Sequence, residues 1–237
     1  MADSGHLTAT LRLSAGGLNV SHPITVPAGE VAASEVVPAL QELVNAVVSV
    51  AEQRSVAGGD AISCRKGCGA CCRQLVPVSR TEGERLLDLM AALPAERRQA
   101  LAARFAAAEQ ALTLGGLAGN DREDQRKLSL AYFALGIPCP FLEDESCSIH
   151  AERPLICREY LVTSPAELCA GPRQEGVTPV PVPKLSLAAR SLQDEEDEWF
   201  PLALLMAWAR RRPANGAKRK GPEWVTRFLK AVSATRL

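Results

Sequence analysis

Residues 64–72 read Cys-Arg-Lys-Gly-Cys-Gly-Ala-Cys-Cys, a C-x3-C-x2-C-C run of four cysteines in nine positions. Two or three residues between thiols let Cys64, Cys68 and Cys71 converge on one metal centre without stretching the backbone. Gly67 and Gly69 offer the positive φ values that so tight a wrap demands. Arg65, Lys66 and Arg73 bring positive charge, which favours the thiolate, the form that ligates. Cys71 and Cys72 are neighbours, and adjacent side chains tend to diverge. One is therefore expected to serve the first centre and the other a second centre or a distal cysteine.

A second set lies downstream: Cys139-Pro140-Phe141-Leu142, then Cys147-Ser148-Ile149-His150, then Arg153-Pro154-Leu155-Ile156-Cys157-Arg158-Glu159-Tyr160, with Cys169 beyond. Cys139, Cys147 and Cys157 are too widely spaced to be neighbours on one helix. They converge only if an irregular segment folds around a centre, and metal binding then supplies folding energy. A lone cysteine is commonly a small buried hydrophobe, and Cys169 fits that description as well as it fits a ligand. His150 follows Cys147 by three residues and has ligand chemistry, but is read as a surface or hydrogen-bonding histidine. Asp144 and Glu145 read as solvated loop residues or as outer partners of the ligands. His6 and His22 belong to a distant hairpin.

These residues need a scaffold, and the 237-residue chain is long enough for one large or two small domains. Hydrophobic residues make up 47%, enough for a sizeable core, and abundant Ala and Leu favour helix. The formal net charge of zero gives no support to nucleic-acid binding. Asp3 in Met1–His6, and Arg12, Gly16 and Gly17 within Leu7–Val20, argue against a secretory leader. No run of about 18 apolar residues is present. A cytoplasmic, non-membrane protein is expected, in which eight reduced cysteines point to metal or redox chemistry rather than disulfides.

Thr8–Leu13 and Leu18–Val26 alternate around Gly16-Gly17 and predict a hairpin, with Pro23 at an edge. Ser34 is the expected cap of a helix running to about Ser55, with Val37, Leu40, Leu43, Val44, Val47 and Val48 on its apolar face. Thr81 and Glu84 have the spacing of a capping box for a second helix. Pro94 suits the start of a third, near Ala95–Leu112, and a fourth is expected over Asp121–Leu135. Residues 171–184 are rich in Gly and Pro, and Asp197–Arg211 and Pro222–Ala234 read as closing helices. The expected fold class is mainly α: a helical domain with an irregular cysteine-stapled metal-binding core and a small N-terminal β-hairpin. Residues 1–56 would form the hairpin and helix, 57–172 the cysteine-cluster domain, and 173–237 a Pro-rich linker and helices packed on it.

The C-x3-C-x2-C-C core, the Cys-Pro-Phe-Leu segment and the Cys-Ser-Ile-His…Arg-Pro…Cys-Arg-Glu-Tyr segment resemble the YkgJ-like cysteine-cluster family, also called the CxxCxxCC zinc- or iron-chelating domain family. The resemblance covers about residues 62–170. It implies that Cys64, Cys68, Cys71, Cys72, Cys139, Cys147 and Cys157 are the family cysteines and bind the metal or cofactor. His150 stands where the family often has Tyr. Flagellin lysine methylases resemble this family in their cysteine region and carry an iron–sulfur centre, which favours such a cluster here.

All-thiolate sites suit both zinc and iron–sulfur. Zinc sites usually come as paired C-x2-C hairpins, and no second short pair is present, so an iron–sulfur cluster is favoured over a zinc or iron ion. The C-x3-C-x2-C spacing also matches the radical S-adenosylmethionine signature, but Ala70 replaces the usual aromatic residue and no repeated βα units follow. Two function classes stay open. One is a metal-binding protein for metal handling or electron transfer, with a metal ion or cluster and a protein as partners. The other is an iron–sulfur enzyme acting on a protein side chain. No phosphate-binding glycine loop, nucleophile elbow or H-E-x-x-H helix is present. The basic runs Arg210–Arg212 and Lys218–Lys220 are read as helix-end cations rather than as a nucleic-acid site.

Overall fold

The computed structural model describes residues 5–117, 125–171, 175–193, 199–212 and 216–234. Strands β1 (His6–Ala15) and β2 (Leu18–Pro27) form the expected antiparallel hairpin, registered from Ala15↔Leu18 to His6↔Pro27. Gly16 and Gly17 close it with φ of 54° and 73°. That left-handed pair matches the twist of the strands and suits glycine. Leu18, Val20, Ile24 and Val26 alternate into the core.

A short strand β3 (Glu30–Ala32) and a 3-10 turn at Ala33–Val36 lead into α1 (Val37–Ala57). The Ser34 cap is not used. The Glu35 carboxylate accepts the Ala32 N–H at 3.0 Å and Pro38 occupies the first turn, so the α-helix starts three residues later. Its predicted apolar face, Val37 to Val48, is buried. Strand β4 (Pro77–Ser79) runs into α2 (Arg80–Ala91). The capping box is Ser79–Glu82, two residues before the expected Thr81–Glu84, because Ser79 is still extended while Thr81 lies inside the helix. Helix α3 (Ala95–Leu114) follows Pro94 as expected. Helix α4 spans Gln125–Ala134; the expected start at Asp121 lies outside the described residues.

The remaining elements are small. They are β5 (Leu142–Glu143), β6 (Ser146–Cys147), α5 (Leu155–Glu159), α6 (Ser186–Ala189), β7 (Trp199–Pro201), α7 (Leu205–Ala209), β8 (Lys218–Lys220) and α8 (Gly221–Ala234). The helix expected over Asp197–Arg211 is instead a strand, a 3-10 turn at Leu202–Leu204 and the short α7; Asp197 lies outside the described residues. Pro201 has no N–H for a helix interior, and Trp199 and Phe200 pair with Ser79 and Val78. Strands β3 and β8, β4 and β7, and β5 and β6 form three further antiparallel pairs.

Two larger cores result. One joins the hairpin, α1, α6 and α8, with Trp224 and Phe228 fully buried. The other joins α2, α3 and the Phe200–Trp208 stack, whose ring centroids lie 4.5 Å apart. Phe141 packs edge-on to Phe105 in that second core at 5.4 Å. Each fully buried Leu or Phe contributes about 1.5–3 kcal/mol. Cys64 packs against the first core and Cys139 against the second, so the cysteine-bearing segments lie where the cores adjoin. The described fold is mainly α with a small N-terminal hairpin. None of its helices is long and apolar enough to cross a membrane.

Candidate metal centre

The loop of residues 64–73 is shaped by two glycines with different duties. Gly67 has φ of 84°, the left-handed conformation expected of it. Gly69 does not: its φ is −93°. Its reason is close approach. A Cβ at Gly69 would sit 2.8 Å from Leu142 Cδ1 and against the Glu145 carboxylate. The loop then closes in a 3-10 turn at Ala70–Arg73 that carries Cys71 and Cys72.

The β5–β6 hairpin is the object packed against Gly69. Arg73 grips Glu145 with both terminal nitrogens, at 2.9 and 2.5 Å, and also donates to the Gly69 carbonyl at 3.1 Å. Glu145 is therefore a clamp between the two cysteine segments, more than a solvated loop residue. Asp144 and Glu145 hold φ of 47° and 53° in the two-residue turn that presents Cys147 opposite Leu142. The Cys139 N–H donates to the Cys72 carbonyl at 2.8 Å, a direct backbone link between the halves of the motif.

Cys157 lies on α5, whose first N–H, that of Leu155, donates to Glu82 at 2.8 Å. Glu82 is buried, also accepts from the Ser79 N–H and hydroxyl, and has its carboxyl raised by burial. The two residues after Cys157 brace the segment. Arg158 donates to the carbonyls of Arg153 and Ala151 and to Asn45 on α1. Glu159 accepts from the N–H and hydroxyl of Ser186, each at 2.7 Å, and burial pushes its carboxyl up to about 7. Glu82 and Glu159 were missed by the sequence reading. The capping-box spacing after Ser79 was an available signal for Glu82; nothing local marks Glu159, whose partner is 27 residues away.

Cys169 is 3% exposed, and its sulfur lies 3.9 Å from the Tyr160 hydroxyl. Its carbonyl accepts from Gln74 at 3.1 Å. His150 is exposed, and its Nε2 is 2.6 Å from Arg153 Nη1. It thus acts as a hydrogen-bonding histidine, and burial and the nearby Arg153 and Arg158 charges lower its pKa.

All eight thiols are free. They interact electrostatically in two groups that share Cys71. Cys139, Cys147 and Cys157 feel the charge of Cys71, and so do Cys64 and Cys169. The neighbouring Cys72 thiol and burial drive the Cys71 thiol far upward. Burial raises Cys64, Cys147 and Cys157 and pushes Cys139 up to about 12. Of the expected thiolate-favouring cations, Arg73 stands near enough to Cys72 to feel its charge. Arg65 faces Glu167 at 3.7 Å and Arg73 is committed to Glu145. The guanidinium that lowers both Cys71 and Cys147 belongs to Arg153.

The donor chemistry fits a thiophilic metal or cluster: free, partly buried thiols whose ionisation costs energy until a cation compensates it. A second feature agrees. Arg153 Nε is buried without a hydrogen-bond partner, a donor beside the thiols that a thiolate or sulfide would satisfy. Among the described residues, no three His, Cys, Asp or Glu side chains already form a metal-holding group. The thiols are gathered without being closed around an ion.

The basic runs are taken up locally. Arg210 pairs with Glu109 at 2.5 Å, Arg212 lies over the Trp208 ring and Arg219 over Trp224, and Lys218–Lys220 pairs with β3.

Comparison with curated proteins and with solved structures gives no match. Residues 63–174 match the family model CxxCxxCC, described as "Putative zinc- or iron-chelating domain". The match spans the whole cysteine constellation, from the C-x3-C-x2-C-C loop to Cys169. That segment of the chain is similar to the CxxCxxCC family.

Proposed function

We propose that this protein is a metal-binding protein whose segment 57–172 holds an iron–sulfur cluster through cysteine thiolates, in the service of metal handling or electron transfer. The ligands in this reading are drawn from Cys64, Cys68, Cys71, Cys72, Cys139, Cys147 and Cys157. The observation that carries it is the set of free thiols from both halves of the motif, joined where the Cys139 N–H donates to the Cys72 carbonyl. A tetrahedral zinc ion takes four ligands. Seven free thiols exceed what one such ion takes and suit a polynuclear centre better. When bound, such a centre supplies one-electron chemistry or a store of iron. The chain's own part is to bind it, exclude water from it through the adjoining cores, and offset its negative charge with Arg153.

Anaerobic purification followed by a visible spectrum and by iron, zinc and acid-labile sulfide analysis tests the proposal. A brown protein with broad absorption, iron and sulfide is the expected result. A colourless protein with stoichiometric zinc overturns the cluster and keeps the chelating function. A chain that takes up neither metal overturns both.

A further inference from the structure

The N-terminal hairpin has one protected edge and one unprotected edge. In a hairpin closed by two residues, the pair flanking the turn is hydrogen-bonded and the bonding alternates from there. With Ala15 opposite Leu18, the backbone groups of Leu7, Ala9, Leu11 and Leu13 face β2, and those of Thr8, Thr10, Arg12 and Ser14 face outward. The same alternation turns the backbone groups of Asn19, Ser21, Pro23, Thr25 and Pro27 to the far edge of β2. Pro23 and Pro27 have no N–H to offer there, and Gly221 of α8 abuts Pro27 and Val26. The β2 edge is thus blunted in the ways that discourage strand pairing.

The β1 edge carries none of these devices over ten residues: no proline, no lysine, and no pairing strand among the described residues. The strand also overhangs its core. Leu7, Ala9, Leu11 and Leu13 share the inner face, yet Leu7 is 53% exposed, Ala9 is exposed, and Leu11 and Leu13 are only half-buried. A strand added along this edge would satisfy the outward backbone groups and cover that apolar row together.

We propose that β1 pairs antiparallel with β1 of a second copy of this chain, about a two-fold axis at Thr10. The sequence is self-complementary in that register. Leu7 meets Leu13 and Ala9 meets Leu11 on the inner face; Thr8 meets Arg12 and His6 meets Ser14 on the outer face. The two Arg12 side chains are kept apart, so no like charges oppose each other. The result is a four-stranded sheet with a continuous apolar underside.

Sedimentation or native mass spectrometry of the full chain up to about 100 µM reads the dimer directly. The Thr10→Pro variant removes one outward N–H and leaves the ladder to β2 intact, so it should yield monomer. Thr8→Glu and Thr8→Lys give the register-specific readout. Each places a new charge opposite Arg12 twice per dimer, and cross-strand charge pairs change the dissociation constant by roughly 2- to 30-fold when two act together. Thr8→Glu should tighten the dimer and Thr8→Lys loosen it. A wild-type chain that stays monomeric throughout overturns the proposal and leaves the edge to a strand of another protein. A dimer indifferent to both Thr8 variants and to Thr10→Pro also overturns it, because it forms through another face.

Discussion

Replacement of Glu82 by Ala tests how the scaffold holds the site. Glu82 sits on α2, yet it serves two helices. One oxygen accepts the Ser79 N–H and hydroxyl in the cap of α2, and the other accepts the first N–H of α5, two residues before Cys157. Its removal abolishes a capping box, which costs about 1 kcal/mol. It also orphans the buried Leu155 N–H, which costs about 1–3 kcal/mol. The sum is about 2–4 kcal/mol, or a fall of roughly 5–15 °C in melting temperature for a chain of this size. Burial raises the Glu82 carboxyl, so some desolvation cost is returned when the group is deleted. Glu82→Gln separates these effects: it keeps the shape and accepts with one oxygen only, so it should fall between wild type and Glu82→Ala. Ser79→Ala removes the cap alone and should cost about 1 kcal/mol. Thermal melts of the metal-free chain, followed by circular dichroism, read all three. If Glu82→Ala melts within a degree or so of wild type, the double anchor contributes nothing and the reasoning fails.

The two loop glycines should fail for different reasons when changed to Ala. Gly69→Ala forces the β5–β6 hairpin, with its Leu142 and Glu145, away from the cysteine loop and should cost about 1–3 kcal/mol by overpacking. Gly67→Ala meets no neighbour and carries only the backbone strain of a positive φ, about 1 kcal/mol. Urea melts should rank Gly69→Ala as the less stable, and reversal of that order refutes the close-approach argument. In the proposed site, Cys68→Ser should lower metal content and melting temperature together, as elemental analysis and a melt would read; unchanged values refute the role of Cys68. Raised thiol pKa values keep Cys71, Cys139 and Cys157 protonated near neutral pH in the metal-free chain. Metal uptake should therefore release protons, and apparent affinity should rise with pH. The metal-free fold should lose stability as pH rises past the ordinary thiol value near 8.5, since folded thiols hold protons that unfolded ones give up. Zinc competition titrations in buffers of different protonation enthalpy read the first effect and melts against pH the second; a pH-independent affinity refutes it.

Local patterns carried far in this chain. The hairpin, the buried face of α1 and the start of α3 follow from alternation, 3.6-residue periodicity and a helix-starting proline, all of which act within a few residues. The clustering of cysteines was equally plain, because thiols at short spacing have few other uses. Tertiary structure decided what depends on distant partners. Strands β4 and β7 are three residues each and exist only because they meet, so no local pattern marks 199–201 as strand. Gly69 was chosen by a hairpin more than 70 residues downstream, and Arg73 was paired with Glu145 across the same gap. Arg153, which no spacing marks, took up the place beside Cys71 and Cys147. Residue types are local facts and announce the chemistry. Which charge stands beside which sulfur is a long-range packing outcome, and no short window of sequence contains it.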